Sequence, residues 1–302
     1  MKKFGWIQTL LFVVAAVVTA PQISSRLVAL NATAADAFVA SAQDKDKDKD
    51  KDKDKYDKHK SGDHRDYDDS EFTEKDEVNQ TYQLTPGATV RVAGINGAVE
   101  VETTSGSTAE VHIVRSARSR ADLEYRKIII EHTGASLVVR GENDQERRVA
   151  RGEYPQVRQR VTLRLPRQID FTASGINGKT TVGEVDGPVK LSGINGRVEV
   201  AQAVGYSELS GINGAVIVTI SQLGERGIRV SGINGAVELR FSDALNADLK
   251  VTGINGSVNA DMPNVVVQGT VSRNNFNARI GSGGAPINVS GVNGRVRLAP
   301  RS

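Results

Sequence analysis

Val189-Lys190-Leu191-Ser192-Gly193-Ile194-Asn195-Gly196-Arg197-Val198-Glu199-Val200 returns almost position for position as Ile228-Arg229-Val230-Ser231-Gly232-Ile233-Asn234-Gly235-Ala236-Val237-Glu238-Leu239. The central tetrapeptide, Gly-Ile-Asn-Gly, begins at Gly94, Gly175, Gly193, Gly211, Gly232 and Gly253, with a Val-containing version at Gly291. From Gly175 the motif advances by 18 residues (175 to 193), 18 (193 to 211), 21 (211 to 232) and 21 (232 to 253). The last step, 38 residues (253 to 291), is about two periods. Self-similarity at a fixed period of this size marks a stack of structural units.

The flanks of each tetrapeptide alternate apolar and polar residues, and β-branched side chains dominate the apolar positions, as in half-buried strands. The expected fold class is therefore all-β, a β-solenoid in which each unit of about 20 residues lays short strands on its neighbours. No unit buries its apolar face alone, so Leu191, Ile194, Val198 and Val200 must stack on their counterparts. Gly175, Gly193, Gly211, Gly232 and Gly253 allow left-handed backbone at the corners, where a Cβ would clash. Asn96, Asn177, Asn195, Asn213, Asn234, Asn255 and Asn293 occupy equivalent places, so their side-chain amides can bond from coil to coil. The rival is an antiparallel meander of β-hairpins, because Asn-Gly is also the favoured dipeptide of a two-residue turn. Ile directly before each Asn favours the solenoid, since an apolar residue suits a buried corner.

Composition agrees with repeated corners more than with a helical globule: 30 glycines, 8 prolines and 5% aromatics in 302 residues. There is no cysteine. Disulfides, thiolate metal sites and a cysteine nucleophile are excluded. A formal net charge of +3 is small for this length and does not point to nucleic acid.

The chain reads as three parts. Residues 1–42 have the layout of an export signal: Lys2 and Lys3, then the apolar run Leu10 to Val18. Cleavage fits after Val18-Thr19-Ala20 or after Ala40-Ser41-Ala42. An uncleaved anchor is the alternative, although Phe4 to Ala20 is slightly short of the roughly 20 residues of a spanning helix. Either way the body of the protein is expected outside the cytoplasm, in the periplasm or cell envelope or secreted. Residues 43–78 contain the strict Asp-Lys alternation from Asp44 to Lys55 and a polar tract through Glu77. With almost nothing to bury, they read as a solvated, disordered spacer. Calcium binding is the weaker alternative, since Lys fills each intervening position and the turn glycine of a calcium loop is missing. Residues 79–302 are the repeat domain, an irregular first half (79–168) followed by the Gly-Ile-Asn-Gly stack (169–302). Ser116 to Arg126 is the best helical candidate after residue 78, and Glu142 to Gln159 reads as a long loop or a pair of edge strands.

Taken together, the Gly94-Ile95-Asn96-Gly97 unit, the strand Val161 to Leu165 closed by Pro166, and the Ser-Gly-Ile-Asn-Gly run resemble the bacterial putative adhesin domain family, DUF4097. The ending from Ile280-Gly281-Ser282-Gly283-Gly284 through Gly291-Val292-Asn293-Gly294 to Arg297-Leu298 fits as well. The resemblance covers roughly residues 80–298 and implies a β-helical repeat domain with an adhesive role. It supplies no catalytic residues. The Asp-Lys spacer lies outside it.

No catalytic, metal or cofactor constellation emerges. Glu199 and Glu238 occupy the same repeat position, but Ile217 holds it in the coil between, so the acids read as outward solubilising groups and not as a catalytic pair. His112 and His132 fall on strands with no third ligand at metal spacing. From Arg115 to Arg167 there are 13 Lys or Arg against 7 Asp or Glu. Within this basic stretch Arg147, Arg148, Arg151, Arg158 and Arg160 form a candidate anion-binding group, because the guanidinium fork matches carboxylate and phosphate. Sparse aromatics argue against nucleic acid. The expected function is a non-enzymatic envelope protein that presents a repetitive β surface for adhesion or scaffolding. The alternatives are capture of an anionic polymer by the Arg-rich first half and a glycan-cleaving β-helix enzyme. The expected partner is an envelope or surface polymer or another surface protein, and contact with a membrane is expected only through an uncleaved N-terminal segment.

Overall fold

The structure, a computed structural model, describes residues 71–143, 156–202, 205–220, 222–241, 245–262, 265–268 and 275–301. The predicted export signal and the Asp-Lys alternation lie outside the described residues.

Each repeat folds as two short strands joined at the Gly-Ile-Asn-Gly corner. Leu191 points inward, Ser192 and Gly193 outward, and Ile194 inward again before exposed Asn195. The alternation slips by one residue because Gly193 adopts φ 59°, a left-handed conformation that costs a residue with a Cβ about 1–2 kcal/mol. The last glycine of the corner has a different task. A Cβ on Gly196 would lie 2.3 Å from the carbonyl oxygen of Gly178 in the coil below. Its bare backbone is what lets consecutive coils touch.

In chain order the strands are β1 (Glu74–Gln83), β2 (Ala88–Ala93), β3 (Gly97–Thr104) and β4 (Thr108–Ala117), then a short helix α1 (Arg120–Tyr125). Next come β5 (Arg126–Thr133), β6 (Ser136–Asn143), β7 (Val157–Pro166), β8 (Ile169–Ile176) and β9 (Thr180–Val182). The repeats proper supply β10 (Val189–Asn195), β11 (Val198–Gln202), β12 (Ser207–Asn213), β13 (Val216–Ile220), β14 (Ile228–Asn234) and β15 (Val237–Phe241). The end of the chain forms β16 (Ala247–Thr252), β17 (Asn255–Ala260), β18 (Val265–Val267), β19 (Asn275–Ile280) and β20 (Ala285–Pro300).

Strands before the corners stack as β6, β2, β8, β10, β12, β14, β20 and β16, all parallel. Strands after the corners stack as β7, β3, β9, β11, β13, β15, β20 and β17, again parallel. Ile176, Ile194, Ile212, Ile233 and Val292 pair in register down the stack. This parallel register selects stacked coils over the hairpin meander.

The order of coils is not the order of the sequence. The C-terminal strand β20 lies between the β14/β15 coil and the β16/β17 coil. At the other end, β2/β3 sits directly beneath β8/β9 although 81 residues separate Asn96 from Asn177. The intervening chain makes one further coil from β6 and β7, so the first half is also part of the stack. Antiparallel strands finish both ends: β5 on β6 and β1 on β4 on β7 at the base, β19 on β16 with β18 beyond it at the top.

The inward side chains of both columns form one continuous aliphatic cluster running from Leu84 to Leu298, with only two fully buried phenylalanines, Phe171 and Phe241, among its largest members. Every coil places aliphatic residues in it, each worth about 1.5–3 kcal/mol relative to exposure. That term outweighs any surface hydrogen bond and explains why so few aromatics suffice.

Three boundaries differ from the sequence reading. The spacer assigned to 43–78 ends earlier, because β1 starts at Glu74 and Phe72 is buried. Its charged residues join a strand because β4 offers a full ladder and Asp76 forms an ion pair with Arg115. The weak helix of Ser116 to Arg126 shortens to α1, capped by Ser119, whose hydroxyl accepts from the Asp122 N–H at 3.3 Å. Val157 to Gln159, taken as loop or edge, begins β7, which is paired on both sides.

Candidate functional surface

Outside the corners runs a continuous line of asparagine amides. From the top, the Nδ2 of Asn255 donates to Asn293 Oδ1 at 3.1 Å, Asn293 to Asn234 at 3.1 Å, Asn234 to Asn213 at 3.0 Å and Asn213 to Asn195 at 3.1 Å. Asn195 donates to Asn177 and Asn177 to Asn96, each at 2.9 Å. The line ends at the base, where Asn96 Nδ2 donates to the Val157 carbonyl at 2.9 Å. Asn96 is half-buried and the other members are exposed, while the Ile or Val preceding each is buried. Each rung contributes about 0.5–1.5 kcal/mol, less than the core beneath it. The amides therefore fix register more than they hold coils together. Gly175, Gly193, Gly211, Gly232 and Gly253 all have φ near 60°, beside this line.

The outward faces of the strands carry further rows. Ser174, Ser192, Ser210, Ser231 and Ser290 pair in register, continued by Thr252 above. On the second column Glu100, Thr181, Glu199, Ile217, Glu238 and Arg297 form another row. Ile217 does separate the two glutamates, and both are held by cations: Glu199 by Arg197 at 2.6 Å and Lys179 at 3.4 Å, Glu238 by Arg240 at 2.9 Å. A shallow groove of about 380 Å³ crosses this face, with Glu100, Glu102, Arg197, Glu199, Ile217 and Arg240 among its lining.

In the basic region most guanidinium groups are committed nearby. Arg118 pairs with Glu71, Arg140 with Glu131 and Glu142, Arg164 with Glu102 and Glu110, and Arg167 with Glu184 and Asp186. Of the candidate anion-binding group, Arg147, Arg148 and Arg151 lie outside the described residues. Arg158 and Arg160 are on β7, two residues apart on its outward face. The Arg158 guanidinium lies over the Phe72 ring, 3.9 Å from its centre. Arg160 is exposed and has no ion pair among the described residues.

Beside them opens a groove of about 570 Å³ at the base of the asparagine line, where Lys75, Asn96, Ala98, Ser116 and Gln159 meet the two arginines. Sequence reasoning did not single out Gln159. It is 3% exposed, its Oε1 accepts from the Asn96 N–H at 2.8 Å, and its Nε2 has no hydrogen-bond partner among the described residues. A buried, unpartnered amide N–H costs about 1–3 kcal/mol. The one available signal was that Gln159 occupies an inward position of an otherwise aliphatic strand.

The histidines are placed apart. His112 Nε2 lies 2.9 Å from Glu77 Oε1, and His132 Nε2 lies 3.0 Å from the Gln83 carbonyl while its ring stacks on Tyr82. Asn79 and His112 together hold the Glu77 carboxyl below the usual carboxylate range. Among the described residues no three His, Cys, Asp or Glu side chains converge as a metal-ligand set.

No family model matches the chain, and no curated protein matches it. Solved structures to which it is similar include a putative cell adhesion protein from Clostridium sporogenes, 14% identical, covering 75% of this chain and 100% of its own, with a TM-score of 0.35. A putative adhesin from Bacteroides fragilis is 11% identical over 74% of this chain and 97% of its own, with a TM-score of 0.27. A putative lipid binding protein from Parabacteroides distasonis is 10% identical over 75% and 97%, with a TM-score of 0.21. At these identities and scores, the functional reading rests on the chain's own residues.

Proposed function

We propose that this chain is an exported, non-enzymatic envelope protein of the adhesin-like family its repeats resemble, and that it presents its stacked outer face for adhesion or scaffolding. The observation that carries this reading is the in-register parallel stack. It turns each outward position of the repeat into a row with one side chain per coil, about 4.8 Å apart. Such a surface suits a partner that is itself repetitive, because many weak contacts along one rigid face add through effective concentration. Glu199 and Glu238, held by their own cations, fit solubilising roles on that face better than acid-base work.

The test is adherence of beads coated with the full chain to envelope preparations and to intact cells. Ser192→Gln, Ser210→Gln and Ser231→Gln, added one at a time, give bulk to one row with no charge repulsion. Adherence should fall stepwise while the melting temperature holds. Adherence that ignores every outward-row substitution, product release from a polysaccharide panel, or recovery of the chain in the cytosolic fraction would each contradict the reading.

A further inference from the structure

The geometry points to a binding groove for a carboxylate-bearing sugar at the base of the stack, formed by Lys75, Arg158, Arg160, Gln159, Asn96 and Asn177. Three features converge there. Among the described residues the lining contains three cations and no carboxylate. Two neighbouring acids are already engaged: Asp76 with Arg115, and Glu77 with Asn79 and His112. Lys75 and Arg160 are exposed, line the groove and have no ion pair among the described residues.

The second feature is the inventory of donors. Asn96 and Asn177 each commit one side-chain N–H to the amide line, which leaves each a second. An occupant rich in oxygen acceptors and carrying a negative charge meets both the asparagine donors and the cations, and a sugar acid has both properties. The third is shape. A concavity of about 570 Å³ admits one or two sugar units, whereas a bilayer surface is flat and would reach only the exposed tips of Lys75 and Arg160. The aromatic ring at the groove, Phe72, is already covered by Arg158, so recognition falls to charge and hydrogen bonding and not to stacking on that ring. Lys75 stands on β1 and Arg158 and Arg160 on β7, and β4 pairs with both strands, so the backbone that carries the cations is set before the ligand arrives.

The experiment is calorimetric titration of the full chain with oligogalacturonate, at low salt and again at physiological salt. Saturable binding that weakens with salt is expected. Lys75→Ala combined with Arg160→Ala should reduce affinity about tenfold or more, each lost charge-assisted bond being worth a measurable share of that factor. Both residues are exposed, so the melting temperature should not move. A neutral oligosaccharide of the same length should not bind. The proposal is overturned if oligogalacturonate does not bind, if the double variant binds it with unchanged affinity, or if anionic phospholipid vesicles bind and oligogalacturonate does not. The groove is separate from the serine and glutamate rows, so either reading can fail without the other: bead adherence reports the rows, titration reports the groove.

Discussion

Asn255 donates its side-chain amide to Asn293, 38 residues further on, and not to Asn234, the preceding member of the repeat. Asn293 in turn donates to Asn234. The β20 coil is thus wedged between two coils that are consecutive in sequence, and the stack above β15 depends on a strand that follows both of them in the chain.

Deleting residues 285–302 should therefore do more than remove one coil. It would strip β14 and β15 of their upper neighbour and leave β16 and β17 without the strand that joins them to the rest. Limited proteolysis should show the whole segment after Phe241 degraded, while the coils from Ala88 to Val218 stay protected. Degradation confined to the new C-terminus would mean that β16 and β17 can dock directly on β14 and β15.

The two glycines of a corner should respond differently to a methyl group. Gly193→Ala meets nothing closer than 3.7 Å and is strained only by its left-handed backbone, costing about 1–2 kcal/mol. Gly196→Ala adds a 2.3 Å approach to the Gly178 carbonyl, so coils must separate; its cost should be about 3 kcal/mol or above. Denaturant titration of the two variants gives the order directly.

Position along the amide line should set the cost of losing a rung. Asn213→Ala removes two bonds, one donated to Asn195 and one accepted from Asn234, whereas Asn255→Ala removes one. At about 0.5–1.5 kcal/mol per bond, the interior variant should be destabilised roughly twice as much. Equal losses would mean the line contributes through each amide alone.

Much of this was legible in the repeat itself. Ile before Asn announced a buried corner, and the paired flanks announced parallel coils with glutamates separated by Ile217. The order of the coils was not legible, because a step of 38 residues is equally consistent with a degenerate coil and with an inserted strand; only pairing across the stack distinguishes them. The start of β1 was hidden for a different reason. Glu74 and Asp76 look like spacer until the ladder with β4 and the ion pair to Arg115 are present. Gln159 reads as one polar residue in a basic segment, and its unsatisfied N–H exists only once β7 is clasped between β3 and β4.

Glu77 ties stability to acid. Its carboxyl titrates lower in the folded chain than its ordinary value of 4.5, chiefly through the Asn79 hydrogen bond and then through His112. A depressed carboxylate stabilises fully above its unfolded value and loses that contribution as pH falls through the folded one. Glu77→Gln should therefore flatten the acid side of the stability profile below about pH 4.5 and leave the neutral side nearly level. An unchanged acid limb would show that the contact is not kept in solution.

Because the chain has no cysteine, engineered pairs report coil neighbours without background. Ser231→Cys with Ser290→Cys places the two Cα atoms on adjacent parallel strands, about 4.8 Å apart and within disulfide reach, whereas Ser231→Cys with Thr252→Cys spans two coils, about 9.6 Å, and is out of reach. Under mild oxidation the 231/290 pair should close and the 231/252 pair should stay reduced. Closure of 231/252 with 231/290 left open would return the coils to sequence order and contradict the inserted C-terminal strand.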